Sequence, residues 1–208
     1  MKIYIISTGP GDVDYLTPLA KRRIEECEVI ICFKGQNLPS EALSKTLFQE
    51  KSLEAVFSRL EENANQKIGL LVTGDAGLFS LAKKVIERFG KEAVQEIIPG
   101  VSSLQVAFAR IKEPWEEVKV VSFHGRKLSA LREILTHPKV AILADPQNNA
   151  RKILEKLIPY GLFEEKRRIF VCQDLTLPEE KIIEIRFTTD LQRLKLGRKE
   201  IVIILEAD

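Results

Sequence analysis

An apolar segment that runs straight into a turn of glycine and proline constrains this chain more than any other feature. The first seventeen residues read MKIYIISTGPGDVDYLT. Residues 2–7 have the composition of a buried strand, and Gly9, Pro10 and Gly11 break it. Glycine can take positive φ and lets another molecule approach the backbone, while proline fixes the entry angle. Asp12 and Thr17 can each accept a hydrogen bond from a nearby backbone N–H, and Thr17-Pro18 has the form of an N-cap followed by a first-turn proline, which predicts a helix through Glu26. A strand, turn and helix in that order place the turn where open α/β sheets bind ligands. A purely structural tight turn fits the same residues.

The same device recurs twice. A buried strand over 67–72 ends in Thr73-Gly74-Asp75-Ala76-Gly77, and a helix is expected over 78–89, closed by Gly90. A third buried strand over 94–98 ends in Pro99-Gly100-Val101-Ser102-Ser103, with a helix over 104–110. Between the first two units a strand is expected over 29–33, with helical periodicity over 40–48 and 53–63. The charged, proline-containing segment 112–117 predicts a boundary between domains 1–112 and 113–208. Beyond it the texture is richer in strand, at 118–123, 140–144, 168–175, 181–187 and 200–205, with helices near 128–135, 148–157 and 189–194. The two strands flanking Leu177-Pro178-Glu179-Glu180 read as an antiparallel hairpin. The fold class is therefore α/β, with a mostly parallel first sheet carrying helices on both faces and a mixed second sheet.

Composition narrows the function. With 208 residues, burial is not limiting, and no apolar run approaches the ~18 residues needed to span a bilayer. The short apolar start lacks the form of a secretory signal, so a cytoplasmic protein is expected. Thirty-two basic residues are interspersed with 30 acidic ones, for a net charge of +2, which favours a small-molecule partner over nucleic acid or membrane. Cys27, Cys32 and Cys172 are odd in number and sit in apolar segments, so they read as core thiols and not as a disulfide framework. His124 and His137 have no partner set at metal-ligand spacing, so no metal site is expected. Neither a G-x-G-x-x-G fingerprint nor a phosphate-binding P-loop is present.

Taken in order and spacing, STGPGDVDYLT, TGDAGLFS and PGVSSLQ resemble the tetrapyrrole methylase family of S-adenosylmethionine-dependent methyltransferases, over nearly the whole chain. Within it, IIPGVSSLQVAFARIKEPWEEVKVVSFHGR looks like the branch that methylates C5 of a corrin precursor. The resemblance implies a two-domain α/β fold, S-adenosylmethionine bound in the cleft between the domains, a tetrapyrrole acceptor and, usually, a homodimer. It implies donor contacts from Thr73, Gly74, Asp75, Leu78, Ser102 and Ser103, and from the second domain near Ala144 and Leu175. Capping of the following helices is the competing role for Asp75, Ser102 and Ser103.

On the acceptor side it implies Gly9, Pro10 and Gly11, with Asp12 as a general base and Asp14 behind it; a loop carboxylate bonded to backbone N–H groups is the plain alternative for Asp12. The macrocycle brings carboxylates, which Arg126 can grip through two parallel hydrogen bonds while His124 donates or exchanges a proton; Lys34, Lys127 and Arg110 are weaker candidates. Trp115 reads as a domain-interface anchor. The turns depart from the family pattern at Ser7, often glycine, and Ala76, often proline, and segment 33–38 is less family-like near the expected acceptor mouth. A partner that methylates C15 with decarboxylation is fused to the enzyme in some relatives. Other acceptors of the same fold (siroheme precursors, diphthine, ribosomal RNA) and a non-catalytic donor-binding scaffold are the alternatives.

Overall fold

A computed structural model describes residues 1–123, 131–164 and 166–206, arranged as two compact units, Met1–Ser103 and Leu104–Asp208. The first is built on five strands, β1 (Lys2–Ser7), β2 (Val29–Phe33), β3 (Thr46–Glu50), β4 (Lys67–Val72) and β5 (Val94–Ile98), in the order β3-β2-β4-β1-β5. Every pairing is parallel. Parallel strands need crossovers that cover both faces, so β1, β2 and β4 read as nearly continuous apolar runs. Their burial agrees: Ile3, Ile5, Ile6, Val29, Ile30, Ile31, Ile68 and Leu70 are fully enclosed.

Helices α1 (Pro18–Glu26) and α2 (Ser40–Leu43) cover one face, with Leu16, Ala20, Ile24 and Ala42 packed on Ile6, Ile30 and Leu71. Helices α3 (Leu53–Glu62) and α4 (Ala82–Phe89) cover the other, with Val56, Leu60 and Val85 on Ile3, Ile5 and Ile68. Helix α1 begins as its sequence dictates: Thr17 Oγ1 accepts the Ala20 N–H at 3.1 Å and proline occupies the first turn. Ser52 caps α3 in the same way through Ala55 N.

Three expectations need correction here. The helix expected over 40–48 stops at Leu43, and the chain becomes β3, whose residues pair from Thr46 opposite Val29 to Glu50 opposite Phe33. The helix expected over 78–89 starts only at Ala82, because Ser80 spends its hydroxyl on the Ala76 carbonyl and the Ala82 N–H, and Phe79 takes a left-handed φ of 49°. Strand β5 is not fully buried; it is an edge strand on which burial alternates, leaving Ile97 exposed and Ile98 enclosed.

Helix α5 (Ser103–Ile111) begins at the last residue of the first unit and runs on in the second, which also holds β6 (Lys119–Ser122), α6 (Leu131–Ile134), β7 (Lys139–Leu143), α7 (Ala150–Leu157), β8 (Arg167–Gln173), β9 (Lys181–Ile185), α8 (Thr188–Arg193) and β10 (Glu200–Glu206). Its sheet runs β6-β7-β10-β8-β9, with only β6 and β7 parallel; β8 and β9 form the expected hairpin. Ile153, Leu154 and Leu157 of α7 and Leu191 of α8 pack on Val140, Ile142, Ile169, Val171 and Val202. Each such side chain contributes roughly 1.5–3 kcal/mol by leaving water. The chain after α5 is tied to this sheet by Arg168 on Glu113 and by Lys139 Nζ on the Pro114 carbonyl. Among the described residues, no helix is long and apolar enough to cross a membrane.

Candidate functional site

The strand order places β1 between β4 and β5, so the three glycine-containing turns emerge side by side at the carboxyl ends of adjacent strands. They are bonded to one another. Thr8 continues the ladder, its N–H and its hydroxyl both reaching the Val72 carbonyl, and Gly74 N donates to the Gly9 carbonyl at 2.7 Å. Ser7 Oγ accepts the Ala76 N–H at 2.8 Å. Asp75 spends both carboxylate oxygens on backbone: Oδ1 accepts Gly77 N at 2.8 Å within its own turn, and Oδ2 accepts Gly100 N at 2.9 Å in the third. Asp75 therefore does not cap the next helix, which begins at Ala82; it joins the second turn to the third.

Glycine has a different reason at each position. Gly9 and Gly74 both take φ +77°, but a Cβ on Gly9 would lie 2.8 Å from Tyr15 Cβ, so glycine there serves the chain's own packing. A Cβ on Gly74 would meet nothing within 4 Å, and this backbone is open to a second molecule. At Gly100 the space is taken by Ser7, whose Cβ lies 2.5 Å from where a Cβ would be. Thr73 is exposed and Leu78 half-buried on the second turn; Ser102 is buried and Ser103 half-buried at the start of α5.

In the first turn, Asp12 Oδ1 accepts Asp14 N at 2.9 Å and caps a single 3-10 turn, Val13–Tyr15. Pro10 is buried, and Gly11 is half-exposed. Two residues that sequence reasoning did not single out hold this turn: Gln36 Nε2 donates to Thr8 Oγ1 and Asn37 Nδ2 to the Gly11 carbonyl, both at 3.0 Å. The only signal available was that both lie in the segment least like the family. Ser7 and Ala76, the two turn positions expected from the resemblance to differ, are hydrogen-bonded to each other.

In the second unit, Ala144 and Leu175 follow the ends of β7 and β8, the two strands flanking β10. Ala144 N donates to the Glu200 carbonyl, and Asp174 N to that of Lys199, so both strand ends meet the start of β10. The buried Glu200 carboxylate accepts Ala150 N, Gly197 N and Gln173 Nε2 between 2.7 and 2.9 Å. Leu175 is buried between Asp174 at φ 46° and Thr176 at φ 69°. Left-handed backbone at non-glycine residues costs of order 1–3 kcal/mol each. The turn is held by Asp174 accepting Arg198 and Lys199 N–H groups, and by Glu180 accepting Thr176 N.

Arg110 makes an ion pair with Glu180 at 2.5 Å, which together with Thr176 N holds the Glu180 carboxyl below the usual carboxylate range. An acceptor carboxylate would have to compete with Glu180 for Arg110. Trp115 is half-exposed, and Lys34 is exposed just after β2. His124, Arg126 and Lys127 lie outside the described residues. The three thiols are buried, which pushes Cys27 and Cys32 up to about 11 and Cys172 to about 12. Among the described residues, no three His, Cys, Asp or Glu side chains cluster as metal ligands would.

Residues 2–189 match the family described as Tetrapyrrole (Corrin/Porphyrin) Methylases. The chain is 32% identical over 187 residues to the probable cobalt-precorrin-7 C(5)-methyltransferase of Methanocaldococcus jannaschii, covering 86% of this chain and 87% of that one. It is 27% identical to that organism's cobalt-precorrin-4 C(11)-methyltransferase, covering 98% of this chain and 86% of the relative. The crystal structure of a cobalamin biosynthesis precorrin-6Y methylase from Archaeoglobus fulgidus superposes with a TM-score of 0.71 at 25% identity, covering 99% and 98% of the two chains. With the fold, the order of the turns and the sequence agreeing over most of its length, this chain belongs to the tetrapyrrole (corrin/porphyrin) methylase family.

Proposed function

We propose that this chain transfers the methyl group of S-adenosylmethionine to C5 of cobalt-precorrin-7, or of its metal-free counterpart, during assembly of the corrin ring of cobalamin. The observation that carries the reading is the likeness, over 86% of the chain, to a probable C5-methyltransferase of the same length class. The strand-end turns supply the fit. S-adenosylmethionine presents a carboxylate, an ammonium, a sulfonium and an adenosine, and such a ligand calls for backbone N–H and C=O groups at close approach with a few hydroxyls. Gly74 offers open backbone, and Thr73, Ser102 and Ser103 offer hydroxyls. In this reading Thr73, Gly74, Asp75, Leu78, Ser102, Ser103, Ala144 and Leu175 hold the donor. Asp75 acts mainly through its backbone, since its carboxylate already serves Gly77 and Gly100.

The bound donor supplies a methyl group already activated by its sulfonium, so the protein's task is chiefly alignment. The acceptor lies against Gly9, Pro10 and Gly11, and His124 and Arg126 take its carboxylates. Methylating a ring carbon leaves positive charge on the macrocycle, and Asp12 removes the proton that must leave. The working form is a cytoplasmic homodimer, with a separate partner for C15 methylation and decarboxylation. A second reading, transfer to C11, is favoured by the 27% identity that extends over 98% of the chain.

Calorimetry with S-adenosylmethionine and mass spectrometry of an enzymatically prepared precorrin mixture test the proposal. Micromolar-range donor binding and one added methyl are expected. No binding at millimolar donor, or no mass gain, would refute it.

A further inference from the structure

We propose that Ser7 is a positioning residue for the methyl donor: its hydroxyl, through the Ala76 N–H, sets the backbone of the second turn and with it the donor's affinity. The inference rests on the donor reading above. Ser7 ends β1 and is wholly buried. Its hydroxyl oxygen accepts Ala76 N at 2.8 Å, and Ala76 is only 3% exposed, so water has little access to that N–H. Buried N–H groups are rarely left unmet. Residue 76 is flanked on one side by the open backbone of Gly74 and on the other by Leu78, whose N–H closes onto the Asp75 carbonyl. Moving residue 76 therefore moves the backbone that offers contacts to the donor.

The same side chain also bears on the third turn. Ser7 Cβ fills the space a side chain on residue 100 would need, and Gly100 N in turn donates to Asp75 Oδ2. One buried residue of β1 thus touches both donor turns, by a hydrogen bond to the second and by packing against the third. Ser7 lies beneath these turns, and it is not a catalytic residue. A misplacement of about 1 Å can cost about 100-fold in rate.

The test measures donor binding by calorimetry and steady-state kinetics for wild type, S7G, A76P and S7G/A76P. S7G strips the acceptor from a buried N–H, and A76P strips the N–H from the same bond. Freed from this bond, the second turn populates other conformations, and S-adenosylmethionine binding in S7G should weaken by about 10-fold as the binding-competent fraction falls. The acceptor KM should stay within about twofold, a split that general destabilisation would not produce. S7G/A76P lacks the tie altogether, so its donor affinity should stay within about threefold of that of S7G, the second change having no bond left to remove.

Unchanged donor affinity in S7G, or a double variant that binds donor as wild type does, overturns the inference. Should S7G fail to fold, A76P carries the test, and unchanged affinity there overturns it as well. A wild type that binds no donor overturns the donor reading and this inference together. A wild type that binds donor while S7G binds equally well overturns the inference alone.

Discussion

Gly9 and Gly74 share a φ of +77°, and the difference in what surrounds them separates stability from binding. Replacing either with alanine forces an L side chain into the left-handed region, at about 1–2 kcal/mol. At Gly74 the cost ends there, because the new Cβ meets nothing within 4 Å. At Gly9 the Cβ would lie 2.8 Å from Tyr15 Cβ and 3.0 Å from the Tyr15 carbonyl oxygen. Main chain cannot swing aside as a flexible side-chain tip can, so overpacking adds about 1–3 kcal/mol. G9A should therefore destabilise by about 2–5 kcal/mol and G74A by about 1–2 kcal/mol. For a unit of this size a difference of 1 kcal/mol shifts Tm by roughly 4–8 °C, so thermal unfolding followed by circular dichroism should rank G9A well below G74A. Donor binding should rank them the other way relative to their stability, since the Cβ at residue 74 enters the space the donor is proposed to approach. A G74A protein that binds S-adenosylmethionine as wild type does, or that melts below G9A, would show that the two glycines do not divide in this way.

Replacing Asp12 with Asn keeps the 3-10 cap through its side-chain oxygen but removes the proposed base. It should lower kcat by about 10²–10⁴-fold with little change in donor Kd, measured by single-turnover methyl transfer; an unchanged kcat would return Asp12 to a capping role alone. The three thiols, held at about 11 to 12 by burial, are ~0.1% thiolate or less at pH 8. A disulfide dye should label none of them rapidly in the folded protein and all three after denaturation; fast labelling of native protein would contradict their burial. Glu180 is held below the ordinary carboxylate range first by its hydrogen bond with Arg110. A depressed carboxylate stabilises the fold above its unfolded pKa and loses that contribution as pH falls through its folded pKa. The Tm advantage of wild type over E180Q should therefore be full near pH 7 and close below about pH 4; a gap that widens in acid would overturn the pairing.

Local chemistry made the first unit's frame readable. Thr17-Pro18 marked the start of α1, and the apolar runs of β1, β2 and β4 marked strands buried on both faces. The misreadings share a cause, which is that distant partners decided the outcome. Leu47 and Phe48 continue a helical apolar spacing, yet β2 offers them a free edge, and residues 46–50 extend the sheet. The stretch 78–81 has helical composition, but Ser80 diverts its hydrogen bonds and Phe79 turns left-handed. The three turns were visible as a set, and their bonds to each other were not. Asp75 on Gly100, Ser7 on Ala76, and Gln36 on Thr8 span 25, 69 and 28 residues, and they follow only from the placement of β1 between β4 and β5 and from the chain's return after β2. The ends of β7 and β8, which precede Ala144 and Leu175, meet the start of β10 for the same reason, through antiparallel pairing of both strands with β10.

Where the new methyl lands decides whether this chain acts at C5. Incubating the enzyme with donor labelled with carbon-13 in its methyl group and with cobalt-precorrin-7, then reading long-range carbon–proton correlations by NMR, locates the new methyl. A single labelled methyl correlated to C5 is expected. Label at C11 or any other ring carbon, or no label in the macrocycle, would contradict it.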